Sequence, residues 1–327
     1  MGMADTVTKE YMRSNKVFAD AFNYLIYDGE QVVKSALLQE LDTTEIAIPF
    51  ALDENENSAE DVVQKYRDVL KSTVIMQDSR ASYILLGVEN QTEIHYAMPV
   101  RNIIYDALQY GKQVSEVAKR HKNQGDRKGH NKGEYLSGFY KEDRIRPVVT
   151  LVVHFGADEW DGPLSLYDMM DLKNERLLEY VQNYRIFLID PYKLTKADLK
   201  KFSSSLGDVL GYIKYSKDKK ALSKFLNDNQ VMIMDNDAAR VIRDVTNTPI
   251  FVPDGKGEID MCKAVRDMID ESKQEGIAVG KAEGKAEGKL ITLIDLVRDN
   301  SLNIEKAAAK ANMTVEQFEK IMNQPLE

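Results

Sequence analysis

Residues 65–110 read KYRDVLKSTVIMQDSRASYILLGVENQTEIHYAMPVRNIIYDALQY, and the fold turns on them. Residues 66–76 and 81–91 are rich in β-branched and apolar side chains, and Gln77, Asp78, Ser79 and Arg80 between them have turn composition. That pattern predicts a β-hairpin. Over residues 83–88 the second strand is apolar on both faces, as a strand covered on both sides must be. Residues 93–121 then carry Ile94, Met98, Ile103, Ile104, Leu108 and Val114 at helical spacing, with Pro99 bending or restarting the helix.

Working outward, residues 17–27 (VFADAFNYLIY) predict a helix stopped at Gly29, residues 31–40 a second short helix, and the acidic residues 52–61 a loop. On the other side, residues 119–135 (KRHKNQGDRKGHNKGEY) are basic and glycine-containing without a hydrophobic period, which predicts an exposed loop. Residues 147–155 (PVVTLVVHF) and 185–189 (RIFLI) predict two further strands. The order is that of an α/β domain ending near residue 192. Residues 193–275 read as a mostly helical region, and residues 276–327 as a repeat followed by a small helical tail. In the repeat, Gly276, Gly280, Gly284 and Gly288 recur every four residues among Lys, Ala and Glu. Each glycine costs a helix about 1 kcal/mol against alanine, so the repeat is expected to be a flexible charged spacer. A helix with a bare face for close helix–helix contact, and hence self-association through this C-terminal region, is the other use of such a period. The tail predicts helices over 290–297 and 304–322, with a helix start at Thr314 and a loose similarity to half of a helix-turn-helix.

The chain has 327 residues, 43% of them apolar and 30% charged, with a net charge of −9. That is an ordinary globular composition, and its acidity does not advertise a nucleic-acid binder; a local basic patch would have to do that work. A single cysteine, Cys262, rules out an internal disulfide and fits a reducing, cytoplasmic setting; it is expected to be a small core residue. Residues 1–15 lack the apolar run of a signal peptide, and no stretch of about 18 apolar residues predicts a membrane span.

Chemistry concentrates at the hairpin ends. Glu89 and Gln91 are two apart on one strand and share a face, and the hairpin brings Asp68 beside them. Two carboxylates at strand ends repel unless a cation lies between them. Mg²⁺ suits one or two carboxylates, a backbone carbonyl such as that of Asn90, and waters. A bound metal lowers the pKa of a water and polarises a phosphodiester oxygen. On spacing alone a solvated strand end is the better fit.

The wording around these residues narrows the choice. Val88 to Arg101 (VENQTEIHYAMPVR), followed by Tyr105, Asp106, Ala107, Leu108 and Tyr110, resembles the core block of the Rpn-type family. These are the recombination-promoting nucleases, also named transposases, of the PD-(D/E)xK superfamily. The blocks at 18–23 (FADAFN), 66–71 (YRDVLK) and 147–156 (PVVTLVVHFG), with Trp160, Asp161, Gly162, Pro163 and Leu166, agree in order, so the resemblance covers roughly residues 15–190. It implies a restriction-endonuclease-like α/β core, a mixed central sheet flanked by helices, with a helical C-terminal region. It also implies a DNA endonuclease dependent on Mg²⁺ or another divalent cation. Asp68 and Glu89 would match its metal carboxylates. Gln91 falls where the wider superfamily has lysine, and a glutamine donates only a neutral hydrogen bond where a lysine stabilises charge. That departure leaves open a non-catalytic, transposon-derived DNA-binding protein. Asp20 is either an auxiliary carboxylate or a solvated helix position. Arg101 is placed to reach phosphate or to form a surface ion pair. Tyr105 and His154 are expected in the core. Lys119, Arg120, Lys122, Arg127, Lys128 and Lys132 against Asp126 give residues 119–132 a charge of +5, suited to contacts with the DNA backbone without sequence preference.

Overall fold

A computed structural model describes residues 2–42, 44–46, 64–66, 68–77, 80–125, 131–171, 175–229 and 231–323. The chain divides into two units, Met1–Cys262 and Lys263–Glu327.

The first unit opens with helices α1 (Met3–Arg13) and α2 (Asn15–Tyr27), which meet at Ser14. Short strands β1 (Gln39–Glu40), β2 (Thr44–Ile46) and β3 (Gln64–Tyr66) lead into the hairpin of β4 (Val69–Gln77) and β5 (Arg80–Gln91). Helix α3 (Met98–Gln124), the single-turn α4 (Lys132–Ser137), β6 (Val148–His154) and β7 (Phe187–Ile189) follow. Then come α5 (Lys196–Leu199), α6 (Leu206–Tyr215), α7 (Lys219–Asn229), β8 (Ile233–Asp235), α8 (Asn236–Thr246) and β9 (Glu258–Asp260). The main sheet has five strands in the order β1-β4-β5-β6-β7. It is mixed: β1, β4 and β5 are antiparallel neighbours, and β5, β6 and β7 are parallel. The fold is therefore mixed α/β, with the sheet flanked by helices.

Register sorts the two faces. Val69 pairs with Val88 and Leu70 with Gly87, while Gly87 lies beside Thr150 and Glu89 beside Val152. Alternation thus puts Leu70, Gly87, Glu89, Thr150 and Val152 on one face. Helix α3 covers that face: Thr150 Oγ1 donates to Asp106 Oδ1 at 2.5 Å, and Tyr110 Oη accepts from the Val148 N–H at 3.1 Å. The opposite face carries Lys71 and Leu86. Lys71 is buried there, its Nζ donating to the Arg13 carbonyl and Asn15 Oδ1 at 2.5 Å each and lying 5.2 Å from the Phe18 ring centroid. This lysine ties the α1–α2 corner to β4, and burial pulls its pKa below the ordinary lysine value.

The second unit is helical. Helix α9 (Met261–Arg298) continues into it, and α10 (Ile304–Lys310) and α11 (Val315–Met322) complete it. Leu293, Ile294, Ala307, Ala308 and Phe318 form its core. The helix start at Thr314 is as expected, with the side chain accepting from the Gln317 N–H in a capping box.

Several expectations need correction. Residues 31–40 are not a helix beyond a 3₁₀ turn at Ser35–Leu37. The Asn23 side chain accepts from the Val33 N–H at 2.7 Å and donates to the Val33 carbonyl at 3.0 Å, holding this segment's backbone against α2. The basic segment is no loop at its start: α3 runs to Gln124 and ends at Gly125, whose φ of 66° supplies the left-handed cap. Buried Val117, and His121 stacked on Tyr140 at 3.8 Å, hold those last turns down. Pro99 sits in the first turn of α3, where its missing N–H costs nothing. The glycine repeat lies inside α9. Lys, Ala and Glu are strong helix formers, and a helix fixed at both ends propagates at one hydrogen bond per residue. Helix α1 and the β8–β9 ladder had no counterpart in the sequence reading. The acidic segment 52–61 lies outside the described residues.

Candidate functional site

The hairpin ends assemble the site. Asp68 precedes β4 by one residue, and carrying the register one step beyond Val69 and Val88 sets it opposite Glu89. Asp68 Oδ2 accepts the Asn90 N–H at 2.8 Å. The structure therefore brings Asp68 beside the Glu89–Asn90 end of β5. Glu89 is 0% exposed and Asp68 9%.

A buried carboxylate needs compensation. Glu89 Oε2 lies 3.0 Å from Nη2 of Arg101, which projects from the first turn of α3. Arg101 Nε donates to Tyr105 Oη at 3.2 Å, one helical turn on, and Tyr105 is buried as expected. Burial alone would lower the guanidinium pKa, but Glu89 and Tyr105 outweigh it and hold it above the ordinary value. Arg101 is thus a charged member of the carboxylate cluster. Removing one partner of such a buried pair costs about 3–5 kcal/mol. Asp68 is compensated less well. Burial raises its pKa above the ordinary carboxylate value, with the Asn90 N–H and Lys9 offsetting part of the rise. Lys9 Nζ, from α1, stands 3.8 Å from Asp68 Oδ1.

Gln91 ends β5. Its Nε2 donates to the Asn90 carbonyl at 2.8 Å, and its own carbonyl accepts from the Phe155 N–H at 2.7 Å. His154 is a core histidine packed edge-on against Trp160, its Nδ1 lying 3.2 Å from the Gln91 carbonyl. The Asn90 carboxamide is buried and has no hydrogen-bond partner among the described residues. Among the described residues no three His, Cys, Asp or Glu side chains converge as a metal-binding group. A cation would rest on two carboxylates and neutral oxygens. That all-oxygen set fits a hard ion such as Mg²⁺; the Asn90 carboxamide, by the alternation of β5, lies on the other face of the sheet.

Asp20 proves to be neither solvated nor at the strand end. It is 1% exposed on α2, and its carboxylate accepts from the N–H and hydroxyl of both Ser203 and Ser204, at 2.6–3.0 Å. It fixes the turn that leads into α6. Cys262 is buried, as expected, with its thiol donating to the Leu226 carbonyl at 3.5 Å.

Lys119, Arg120 and Lys122 lie on the last turns of α3, and Lys132 starts α4. Arg127 and Lys128 lie outside the described residues. Beside the same end of α3, a groove of about 350 Å³ is lined by Lys112, Arg120, Arg144 and Arg146, with Asp42 and Glu116. Sequence reasoning missed Lys112, Arg144 and Arg146, because they are scattered along the chain and only the fold gathers them. It also missed Lys9, and Asp5, whose Oδ1 accepts from Thr92 Oγ1 at 2.8 Å. The signal for α1 was available: Met3, Val7 and Tyr11 follow at intervals of four.

Comparison with known proteins then decides the family. The family model described as "Putative transposase, YhgA-like" matches residues 30–239. The chain belongs to that family. This bears out the resemblance read from the block around residues 88–110, and the match takes in Asp68, Glu89, Gln91 and Arg101. The family description links this YhgA-like chain to mobile elements. No curated protein and no solved structure matches it. Among the described residues of this YhgA-like chain, no helix is long and apolar enough to cross a membrane.

Proposed function

We propose that this YhgA-like protein is a divalent-metal-dependent DNA endonuclease with a restriction-endonuclease-like core, acting in recombination or on mobile elements. The observation that carries the reading is the cross-strand placement of Asp68 against Glu89, two buried carboxylates at one strand end beneath α3. Asp68 and Glu89, with the carbonyl of Asn90, would hold Mg²⁺ or a similar ion. When bound, such a cation supplies Lewis acidity toward the scissile phosphate and lowers the pKa of water. The Asn90 N–H fixes the Asp68 carboxylate from behind. Gln91 positions water or a phosphate oxygen by a neutral hydrogen bond. The cations at the far end of α3 (Lys119, Arg120, Lys122) and at the start of α4 (Lys132) would contact the DNA backbone, together with Arg127 and Lys128, which lie outside the described residues. That gives affinity with little sequence preference and a steep loss with salt.

The test is nicking of supercoiled plasmid in Mg²⁺ by wild type, Asp68→Ala, Glu89→Ala and Glu89→Gln. Loss of about a thousandfold in the variants is expected, equivalent to about 4 kcal/mol of transition-state stabilisation. The Gln variant keeps the side-chain volume beside Arg101 and so separates lost chemistry from lost folding. Equal cleavage by all four proteins would remove the reading.

One observation favours a second reading. The Gln91 amide is turned onto the Asn90 carbonyl and carries no charge, as in a site whose chemistry has lapsed into DNA binding alone. Salt-dependent DNA binding by the wild type, with no cleavage in Mg²⁺ or Mn²⁺, would favour it.

A further inference from the structure

We infer that Arg101, rather than Gln91, supplies the fixed positive charge of this site and is a catalytic residue that bonds the scissile phosphate from its place beside Glu89. The inference rests on the endonuclease reading above.

Gln91 holds the position where a cation is expected, yet it is neutral and its amide already donates along its own strand. Arg101 brings a cation to the same strand end from the other side, out of α3. Its Nη2 is 3.0 Å from Glu89 Oε2 and its Nε is 3.2 Å from Tyr105 Oη. The guanidinium carbon stands 5.7 Å from the Tyr105 ring centroid. These contacts fix the guanidinium plane in advance. The hydrogen bond to Tyr105 uses one of its five N–H groups, and the side chain stays 27% exposed while Glu89 beside it is wholly covered. The arginine is therefore the member of this ion pair that a ligand arriving from solvent can reach. A planar fork suits two oxygens of one phosphate, and a guanidinium keeps its charge at any physiological pH.

The role follows from the reaction. The oxygen of water forms a bond to phosphorus and one bridging P–O bond breaks. One water proton passes to the leaving oxygen and the other to solvent. Negative charge builds on the non-bridging oxygens as the new bond forms, and a donor already fixed there stabilises it without reorganising. Arg101 gives up no proton; it acts by charge and hydrogen bonding alone. Because Glu89 orients it, the carboxylate serves both as a candidate metal ligand and as the anchor of the cation.

The test compares wild type, Arg101→Lys and Arg101→Ala with Asp68→Ala as the inactive reference. Steady-state cleavage in Mg²⁺ is measured beside DNA affinity in Ca²⁺ and thermal unfolding of the metal-free proteins. Arg101→Ala should lower kcat by about 10²–10³-fold, with DNA affinity within about threefold of wild type, since one phosphate contact among many adds little to affinity. Arg101→Lys should recover at least about tenfold of the loss, since it restores a charge without the fork. The inference is overturned if Arg101→Ala cleaves at the wild-type rate, if its loss lies wholly in DNA affinity, or if cooling below its unfolding transition restores full kcat. The last result would make the arginine a structural counter-ion only. A wild type that never cleaves would overturn the endonuclease reading and this inference together. Wild-type cleavage, abolished in Asp68→Ala and unchanged in Arg101→Ala, would overturn this inference alone.

Discussion

Two regions of the first unit each bury aspartate, and they treat it in opposite ways. At the junction of α2 with the turn before α6, Asp20 accepts from two amides and two hydroxyls of Ser203 and Ser204, all within 3.0 Å. At the end of β4, Asp68 receives one amide at 2.8 Å and a lysine at 3.8 Å, and burial lifts its pKa. Neutral donors packed around a carboxylate fix a backbone; they leave it no lone pairs for a ligand. A carboxylate under-supplied with donors, beside a second carboxylate and an arginine, is the one with capacity to bind something else. Burial alone does not mark a functional acid; what matters is who satisfies it.

The largest effect that would break this contrast is on cleavage. Asp68→Asn should lower the rate by about a thousandfold in the plasmid assay. Asp20→Asn, assayed at a temperature where it is folded, should stay within about threefold of wild type. A large loss of kcat in folded Asp20→Asn would reverse the assignment of the two regions.

Stability should run the other way. Asp20→Ala strands two part-buried amide donors and two hydroxyls, and should cost about 2–4 kcal/mol. For a unit of this size that is about 5–15 °C in Tm. Scanning calorimetry on the metal-free protein checks it. Asp20→Asn should fall between, since a carboxamide offers one acceptor oxygen where the carboxylate offers two. Asp68→Asn should instead raise Tm at neutral pH. The sign follows from linkage: a carboxyl whose folded pKa is raised holds its proton more tightly when folded, so stability falls as pH rises from the ordinary carboxylate value through the folded one. The gain from Asp68→Asn should therefore be present above that window and vanish below it. An Asp68→Asn variant equally stabilised at all pH would show that burial of the charge is not the cause.

Much of this contrast was legible in the chain, and the illegible part has a physical reason. The hairpin, the two parallel strands after it and the juxtaposition of Asp68 with Glu89 follow from alternation and register, which are local properties. The partners of the carboxylates are not local. Ser203 and Ser204 lie 183 and 184 residues from Asp20, so nothing near Asp20 in sequence distinguishes it from a solvated helix position. Arg101 was legible as a cation close behind the hairpin, but its pairing with Glu89 depends on how α3 lies across the sheet. The far end of α3 misled for a different reason: its charged composition hid the buried Val117 and the His121–Tyr140 stack that keep it helical. The glycine repeat misled in the same direction. Helix formers between the glycines and anchored ends outweigh a cost of about 1 kcal/mol per glycine.

The smallest expected effect isolates what Asp68 gets from long-range charge. Lys9→Met keeps most of the apolar stem and removes the ammonium 3.8 Å from Asp68. A pair at that distance, with both side chains partly accessible, contributes about 0.5–1 kcal/mol, so Tm should fall by about 1–4 °C at neutral pH. Lys9 favours the ionised carboxylate, so the loss should disappear below the folded pKa of Asp68, where there is no charge to attract. It should disappear equally in an Asp68→Asn background, which a double-mutant cycle reads directly. If Lys9→Met destabilises by the same amount at every pH and in both backgrounds, the lysine packs α1 and does not serve the carboxylate. The strand end would then leave Asp68 supported by a single amide, and its contrast with Asp20 would be sharper still.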